Sequence, residues 1–273
     1  MIESYFFIPA NKSRFINKIP HIKADYFILD FEDSLNNDLE TAFSNVGHLT
    51  NREKYWVRPL LFSNEDKLQV DILKRLIDLK FTKFVLPKIK SHADLLELSK
   101  ISFPDHSEFI ILIESAEAYV NISEILSLNK LNITGISLGS HDFFKDLNMR
   151  YSLENLKRFR EDILIHAKAF GVKPIDIASM DIKDLAAFQK ETLFGFEMGY
   201  RSKFFLHPDQ LDSVKKILLY NEEEIAFVKK VLKRFPNLSN EIGVLNIDGQ
   251  ILEKPHVKRI LEIKKWVELY EAK

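Results

Sequence analysis

The sequence contains no cysteine, which excludes disulfide bonds, thiolate metal sites and cysteine nucleophiles. Because a chain without cysteine suits a reducing compartment, we expect a cytoplasmic protein. No apolar run approaches the roughly 20 residues that a membrane-spanning helix needs, and no basic segment followed by an apolar one opens the sequence. The formal net charge is only −1, so there is no global basic field to attract nucleic acid or an anionic membrane. We therefore expect neither as a partner.

Glycine-rich phosphate-binding motifs are also missing. No Gly-x-Gly-x-x-Gly follows the first apolar run, which argues against a dinucleotide site, and there is no Walker-type loop. Internal repeats and low-complexity segments are absent as well. What remains is a chain of 273 residues, 46% of them hydrophobic, which is enough for a sizeable core. This length is normal for one α/β barrel.

Short apolar runs alternate with longer amphipathic segments along residues 1–220. The predicted strands are Tyr5–Ile8, Tyr26–Leu29, Tyr55–Val57, Phe84–Leu86, Phe109–Ile113, Ile133–Leu138, Val172–Ile175 and Lys203–Leu206. Helical segments between them include Lys67–Leu79, Ala93–Ser99, Leu153–Phe170 and Asp181–Leu193. This rhythm predicts an α/β fold in which eight parallel strands close into a (β/α)8 TIM barrel, with an open doubly wound sheet as the alternative.

Residues 221–273 exceed what the barrel needs. Asn221–Phe235 and His256–Tyr270 have the apolar spacing of amphipathic helices, and Gly243–Gly249 resembles a hairpin. We expect a C-terminal extension that packs on the barrel or on a neighbouring subunit.

The apolar run Phe109–Ile113 ends in the carboxylate of Glu114. A run that is apolar on both faces indicates a strand buried on both sides, as in a parallel sheet covered by helices. In such folds the C-terminal strand ends carry the functional sites, and a buried carboxylate there needs a partner or a metal. The alternative is a glutamate in solvent that opens the next helix.

Polar residues also end other predicted strands. The second strand runs into Asp30, Glu32 and Asp33, three carboxylates in four positions that need cations nearby, although capping of a helix would explain one or two of them. The remaining strand-end candidates are Arg58, Pro87, Lys88, Gly139, His141, Asp142, Asp176 and His207. Carboxylate oxygens from two neighbouring strand ends, Glu114 and Asp142, are the arrangement that Mg²⁺ or Mn²⁺ prefers when water and substrate complete its coordination.

For several of these residues the sequence is consistent with more than one role. Arg58 is suited to clamp a substrate carboxylate, to pair with the acidic cluster, or both. Lys88 is either a Schiff-base amine or, as we favour, a partner of the acidic cluster. His207 fits an acid or base as well as a structural histidine at the barrel rim. A zinc site at His141 and Asp142 is disfavoured because adjacent residues at a strand end point apart.

The ordered set of motifs resembles the citrate lyase beta-subunit-like family, within the superfamily of malyl-CoA and citramalyl-CoA lyases and metal-dependent hydroxy-oxo-acid aldolases. The motifs are Phe7-Ile8-Pro9, Ile28 to Ser34, Val57-Arg58, Leu86-Pro87-Lys88, Ile113 to Ala116, Leu138-Gly139-x-x-Asp142, Pro174-Ile175-Asp176, Gly199-Tyr200-x-x-Lys203 and Leu206-His207-Pro208-x-Gln210. Single motifs such as Pro-Lys are weak, but the ordered set spans nearly the whole chain and is specific.

The resemblance implies a trimeric barrel that uses Mg²⁺, with Mn²⁺ as the alternative, for reversible carbon–carbon cleavage of a 3-hydroxyacyl thioester. It implies Glu114 and Asp142 as metal ligands and Arg58 as a catalytic and substrate-binding group. It further implies that Glu32 and Asp33 hold metal-bound water and lysine partners, and that Pro87, Lys88, Gly139 and Asp176 lie at the substrate. Near the C-terminus, Asp248 to Pro255 resembles a segment that swings over a neighbouring barrel and delivers an acid, here Glu253.

Departures from the family pattern surround this metal-binding set. They are Glu3-Ser4, Arg58-Pro59-Leu60, His141, Ser202-Lys203, Phe43 and Glu253. The pattern predicts a retained metal–enolate centre with an altered substrate, a small 2-oxo or 3-hydroxy acid with or without a CoA thioester. The alternatives are an aldolase acting on a free 2-oxo-4-hydroxy acid and a catalytically silent ligand-binding relative.

Overall fold

The computed structural model describes residues 2–32, 38–63, 65, 67–217, 219–239, 244–247 and 249–271. They belong to two compact units, one of residues 2–216 and one of residues 217–273. None of the helices in these ranges combines the length and the apolar character that crossing a membrane requires.

The first unit is built on eight parallel strands. They are β1 (Glu3–Pro9), β2 (Tyr26–Asp30), β3 (Tyr55–Arg58), β4 (Lys83–Leu86), β5 (Glu108–Ile113), β6 (Ile133–Leu138), β7 (Lys173–Pro174) and β8 (Ser202–Phe205). Their order is β7-β6-β5-β4-β3-β2-β1-β8. The two ends of this sheet meet at Asp176, whose backbone N–H donates to the Ser202 carbonyl at 2.8 Å and whose carbonyl accepts from the Phe204 N–H at 3.1 Å. The sheet is therefore closed, and the predicted (β/α)8 barrel is confirmed.

Helices connect the strands and form the outer layer. They are α1 (Ser13–Ile16), α2 (Leu39–Gly47), α3 (Val70–Asp78), α4 (His92–Leu98), α5 (Ala116–Val120), α6 (Ile122–Leu126), α7 (Ser140–Asp146), α8 (Leu153–Ala169), α9 (Leu185–Met198) and α10 (Pro208–Val214), with 3-10 turns at Ile19–His21 and Arg52–Lys54. Some of them start at a side-chain cap: the Ser152 side chain, for example, accepts from the Asn155 N–H at the beginning of α8.

Alternation along each strand sorts the apolar side chains into two cores. In β5, Phe109, Ile111 and Ile113 pack in the layer between strands and helices, whereas Ile110 and Leu112 pack inside the barrel. Both faces of the strand are thus buried, as the unbroken apolar run predicts. Glu114 follows directly after the last residue of this strand, and it therefore lies at the C-terminal rim of the barrel.

A buried charge cluster lies at the seam between β7 and β8. Asp176 accepts two hydrogen bonds from Arg160 on α8, at 3.0 Å from Nε and 2.7 Å from Nη2. The Lys203 ammonium of β8 lies 3.5 Å from Asp176 and 3.1 Å from Glu191 on α9. All four side chains are at most 8% exposed, and two positive charges face two negative ones. We call these four residues the seam cluster; they join two strands and two helices where β7 has only two residues in the ladder.

The second unit contains two helices and a hairpin. α11 (Glu222–Arg234) precedes the antiparallel strands β9 (Val244–Ile247) and β10 (Gln250–Glu253), and α12 (Lys254–Glu271) follows. Arg259 on α12 pairs with Glu224 on α11 at 2.6 Å. The predicted helical and hairpin extension is confirmed, although Gly243 and Asp248 lie outside the described residues.

Candidate active site

A cavity of about 300 Å³ opens at the C-terminal ends of the strands. The charged residues in its wall are Asp30 from β2, Arg58 from β3, Glu114 after β5 and Asp142 in the first turn of α7. Parallel strands place their carboxyl ends at one edge, which is why residues far apart in sequence meet here. Of the predicted site residues, Arg58, Glu114, Gly139 and Asp142 line this cavity.

Glu114 is 7% exposed, and its surroundings disfavour its charge. Burial, together with the negative charge of Glu32, raises the pKa of Glu114 to about 8, although Arg58 and a backbone hydrogen bond act in the opposite direction. That hydrogen bond runs from the Lys88 N–H to Glu114 Oε2 at 2.8 Å. Lys88 adopts a left-handed backbone with φ of 56°, uncommon for a residue other than glycine. In this left-handed conformation, the Lys88 N–H points at the Glu114 carboxylate.

Gly139 leaves the space that the Glu114 side chain occupies. A Cβ atom at position 139 would lie 2.3 Å from Glu114 Cγ and 2.7 Å from its Oε1. Because such distances are far below van der Waals contact, any larger residue at this position would displace the carboxylate.

Arg58 belongs to a chain of alternating charges. Its Nε donates to Asp30 at 2.7 Å, and its Nη1 lies 3.3 Å from Glu32, whose other oxygen accepts from the Lys88 ammonium at 2.9 Å. The Arg58 guanidinium also lies over the Phe7 ring, 5.0 Å from its centroid. Lys88 thus makes the ion pair favoured for it from the sequence. Within this chain two carboxylates face two cations, so these four groups are balanced.

Glu114 and Asp142 have no ion pair with a side chain in the described part of the protein. Both also line a second cavity of about 390 Å³, whose wall includes Lys88, Lys90 and Lys145. The two side chains therefore border both cavities, and they carry a charge of −2 once both are ionised. In the same ranges of the chain, no group of three or more histidine, aspartate or glutamate side chains is arranged to hold a metal ion. A cation here would take two protein ligands and complete its coordination with water or substrate.

His141 lies at the cavity mouth beside Asp142. Its ring stacks on Tyr151 with centroids 4.6 Å apart and planes inclined by 7°. Burial lowers the pKa of the His141 imidazole, although the neighbouring carboxylates oppose this. The stacking places an aromatic surface beside Asp142.

Other predicted site residues lie elsewhere. The carboxylate of Asp176 is held in the seam cluster and does not line the cavity. Pro87 is buried outside the cavity wall, and His207 caps α10 by accepting from the Asp209 N–H at 3.2 Å. Glu253 is an exposed residue of β10 in the second unit. Asp33 lies outside the described residues.

Two features of the cavity were not assigned a role from the sequence. Asp30 was named there as part of the acidic run, but it was not predicted to be the residue that binds Arg58 most closely, which it does at 2.7 Å against 3.3 Å for Glu32. The apolar wall around Leu112 and Phe204 also reaches the site. Its strands were predicted, but which face of each strand meets the cavity depends on the barrel geometry.

Comparison with known proteins gives consistent matches. The (3S)-malyl-CoA thioesterase of Cereibacter sphaeroides is 26% identical over 267 residues, covering 93% of this chain and 90% of the relative. The mitochondrial citramalyl-CoA lyase of Homo sapiens is 24% identical over 280 residues, covering 93% and 82%. A crystal structure of CitE from Mycobacterium tuberculosis with magnesium, acetoacetate and coenzyme A superposes with a TM-score of 0.77 at 25% identity, covering 95% of this chain and 97% of CitE.

The family model described as HpcH/HpaI aldolase/citrate lyase matches residues 3–208. The resemblance inferred from the motifs and the prediction of an enzyme of the aldolase and citrate lyase type are thereby confirmed. The chain belongs to the HpcH/HpaI aldolase/citrate lyase family.

Proposed function

We propose that this protein is a Mg²⁺-dependent carbon–carbon lyase that reversibly cleaves a 3-hydroxy acid or its CoA thioester, of the citryl-, malyl- or citramalyl-CoA type. The observation that carries the proposal is the charge arrangement in the cavity. The Asp30–Arg58–Glu32–Lys88 chain balances itself, whereas Glu114 and Asp142 have no cationic side chain within ion-pair distance in the described ranges. A divalent cation would supply the missing charge, and magnesium accompanies coenzyme A in the CitE structure.

The residues fit this ion on chemical grounds. Both proposed ligands offer oxygen, the donor that Mg²⁺ prefers, and they come from neighbouring strand ends. Burial raises the pKa of Glu114, so a cation beside it would favour the charged form that a ligand requires. Mn²⁺ has similar preferences and is the alternative metal.

Cleavage leaves a carbonyl fragment and an enolate, and each needs stabilisation. The bound metal would supply a Lewis acid that polarises the oxygen of the 2-oxo acid fragment. Arg58 faces the cavity with its orientation fixed by Asp30, so it stabilises developing negative charge without reorganising. Lys88 and Gly139 position Glu114 through the amide hydrogen bond and the space described above. Glu32 connects Arg58 to Lys88, and we assign it the same positioning role.

The proton for the enolate carbon remains to be assigned. We assign it to Glu253, whose exposed position on β10 leaves its carboxylate accessible. The resemblance supports delivery from a neighbouring subunit of a trimer, and it assigns to Asp33 the holding of metal-bound water. Asp176 leaves this set, because its ion pairs within the barrel wall support a structural role.

Metal dependence is the direct test. We expect purified protein to cleave one or more 3-hydroxyacyl-CoA thioesters in the presence of Mg²⁺, and EDTA to abolish the reaction until Mg²⁺ is restored. The readout is release of the 2-oxo acid or of the shorter acyl-CoA, followed by chromatography. Mg²⁺ binding without turnover across citryl-, malyl- and citramalyl-CoA and across free 2-oxo-4-hydroxy acids would contradict the proposal.

A second candidate is an aldolase that acts on a free 2-oxo-4-hydroxy acid. The small size and largely apolar wall of the cavity favour it, because they describe a site for a compact acid. Release of pyruvate from such an acid, together with no detectable binding of CoA or acetyl-CoA in calorimetry, would select this candidate over the thioester lyase.

Gly139→Ala is expected to weaken Mg²⁺ binding by about tenfold or more, because the added methyl group displaces the Glu114 carboxylate while removing no polar group. Isothermal titration with MgCl₂ measures the effect. Gly47→Ala is the matched control, since a Cβ atom there meets nothing within 4 Å. Equal Mg²⁺ affinity in Gly139→Ala and wild-type protein would show that Glu114 is not a ligand.

A further inference from the structure

The wall of the proposed active-site cavity is predominantly apolar. Leu112, Leu138 and Phe204 are each at most 3% exposed, and Leu112 and Phe204 also belong to the core inside the barrel. They form the part of the cavity nearest that core. Phe7 and Pro9 line the side near Arg58, and we use the name apolar wall for the other apolar lining residues, Leu112, Leu138, Ala178, Met180, Phe204 and Leu206.

The rim of the same cavity is adaptable. Met180 is 58% exposed, and its unbranched thioether side chain can adjust to the shape of a neighbouring group. His141 lines the same cavity, and its ring stacks on that of Tyr151. The exposed Met180 and the buried Leu112 and Phe204 therefore line one cavity.

Cations in the wall are few. Among the described residues that line this cavity, Arg58 is the one lysine or arginine, and it already contacts Asp30 and Glu32. The proposed metal and Arg58 together match the charges of Asp30, Glu114 and Asp142. The carboxylate of the 2-oxo acid would bind at the proposed metal, beside Arg58. A second carboxylate farther along this cavity would meet hydrocarbon, where an unpaired charge is strongly disfavoured, because the nearby lysines line the second cavity instead.

We propose that the 2-oxo acid fragment of the substrate is a monocarboxylate whose chain beyond the oxo group is hydrocarbon, so that the apolar wall selects against dicarboxylates. The inference rests on the proposed function, because it takes the metal at Glu114 and Asp142 as the point where the single carboxylate and the oxo group bind. The substrate class is thus defined by the hydrocarbon chain that the apolar wall would contact.

Two acids of equal length test this selection. 2-Oxopentanoate and 2-oxoglutarate both have five carbons and differ in ending with a methyl group or a carboxylate. In calorimetric titrations of the full chain with saturating Mg²⁺, we expect 2-oxopentanoate to bind at least about tenfold more tightly. Glu114→Gln, with Mg²⁺ at the same concentration, should abolish binding of both acids and so identify binding at the metal.

A variant that adds a cation makes the test sharper. Met180→Lys should narrow or reverse the preference by strengthening 2-oxoglutarate binding about tenfold, because its ammonium can pair with the second carboxylate. Met180 is exposed enough that the replacement should fold. Ile165→Lys adds the same charge at a 63% exposed position on α8, outside the cavity wall, and should leave the wild-type ratio unchanged.

The outcomes separate this inference from the proposed function. Mg²⁺-dependent binding of both acids with 2-oxoglutarate equal or tighter would overturn the apolar selection and leave the metal site standing. Absence of Mg²⁺-dependent binding for either acid would overturn both. A change of ratio in Ile165→Lys as large as in Met180→Lys would show that net charge, and not the cavity wall, sets the preference.

Discussion

Glu114→Gln is expected to lower turnover by about a thousandfold or more while the metal-free protein becomes more stable at pH 8. The amide has nearly the shape of the carboxylate, and its oxygen can still accept from the Lys88 N–H. It removes the negative charge that a metal needs, so Mg²⁺-induced stabilisation should also disappear. Turnover and thermal unfolding with and without Mg²⁺ measure the two effects.

The gain in stability has a defined pH dependence. In the fold, burial raises the pKa of Glu114 from its ordinary value of 4.5 to about 8, so the native state holds a proton that the unfolded chain releases. Stability of the metal-free wild-type protein therefore falls as the pH rises from 4.5 to 8. Because glutamine has no such proton, the difference in melting temperature should grow across this window to about 3 °C or more.

An exposed glutamate on the following helix provides the control. Glu117→Gln removes the same charge three residues along the chain, on a side chain that solvent already surrounds. It should retain turnover and show no comparable pH-dependent gain. Turnover of Glu114→Gln close to that of Glu117→Gln would rule out Glu114 as a metal ligand.

Asp176→Ala is expected to reduce the free energy of unfolding by about 3–5 kcal/mol, the cost of leaving buried charges without their partner. The substitution leaves Arg160 and Lys203 with Glu191 as the sole carboxylate of the seam cluster. Urea denaturation followed by circular dichroism measures the loss. If the free energy of unfolding were unchanged and KM rose, Asp176 would instead have the role in substrate binding that the sequence predicts.

Two further variants define the cause. Arg160→Met combined with Asp176→Leu removes one charge of each sign and leaves Lys203 paired with Glu191, so it should be more stable than Asp176→Ala alone. Gly195→Ala changes no charge, but its Cβ atom would lie 2.3 Å from both Arg160 Nη2 and Asp176 Oδ2. It should destabilise the protein by separating the pair. A double variant less stable than Asp176→Ala would contradict the electrostatic explanation.

The strands were predictable because each is a short apolar run, and the end of each strand indicated the site. Glu114 and Asp142 were selected on this basis, and the structure brings both to one cavity wall. β7 was predicted over Val172–Ile175 but pairs over Lys173–Pro174, since Pro174 has no N–H to donate and the chain rejoins the sheet at Asp176.

Contacts between distant elements could not be predicted in the same way. The partners of Asp176 lie on α8 and β8, and nothing in the local sequence indicates that they converge. The left-handed backbone at Lys88 was equally hidden, because no glycine or asparagine stands there to suggest it. The alternation of apolar and polar segments in the sequence predicts where strands end, but the choice of ion-pair partners depends on three-dimensional packing.

The space at Gly139 has a consequence for how such a sequence can diverge. Any side chain at position 139 collides with Glu114, so the glycine is required only while the glutamate is kept. A descendant that lost Glu114 would be free to fill position 139, and the two positions should then change together. The same reasoning links Gly195 to the Arg160–Asp176 pair. Replacement of both Gly139 and Glu114 would indicate a lineage that has lost the proposed metal site. Replacement of Gly195 together with Arg160 and Asp176 would indicate a lineage in which the seam cluster has been replaced by other contacts.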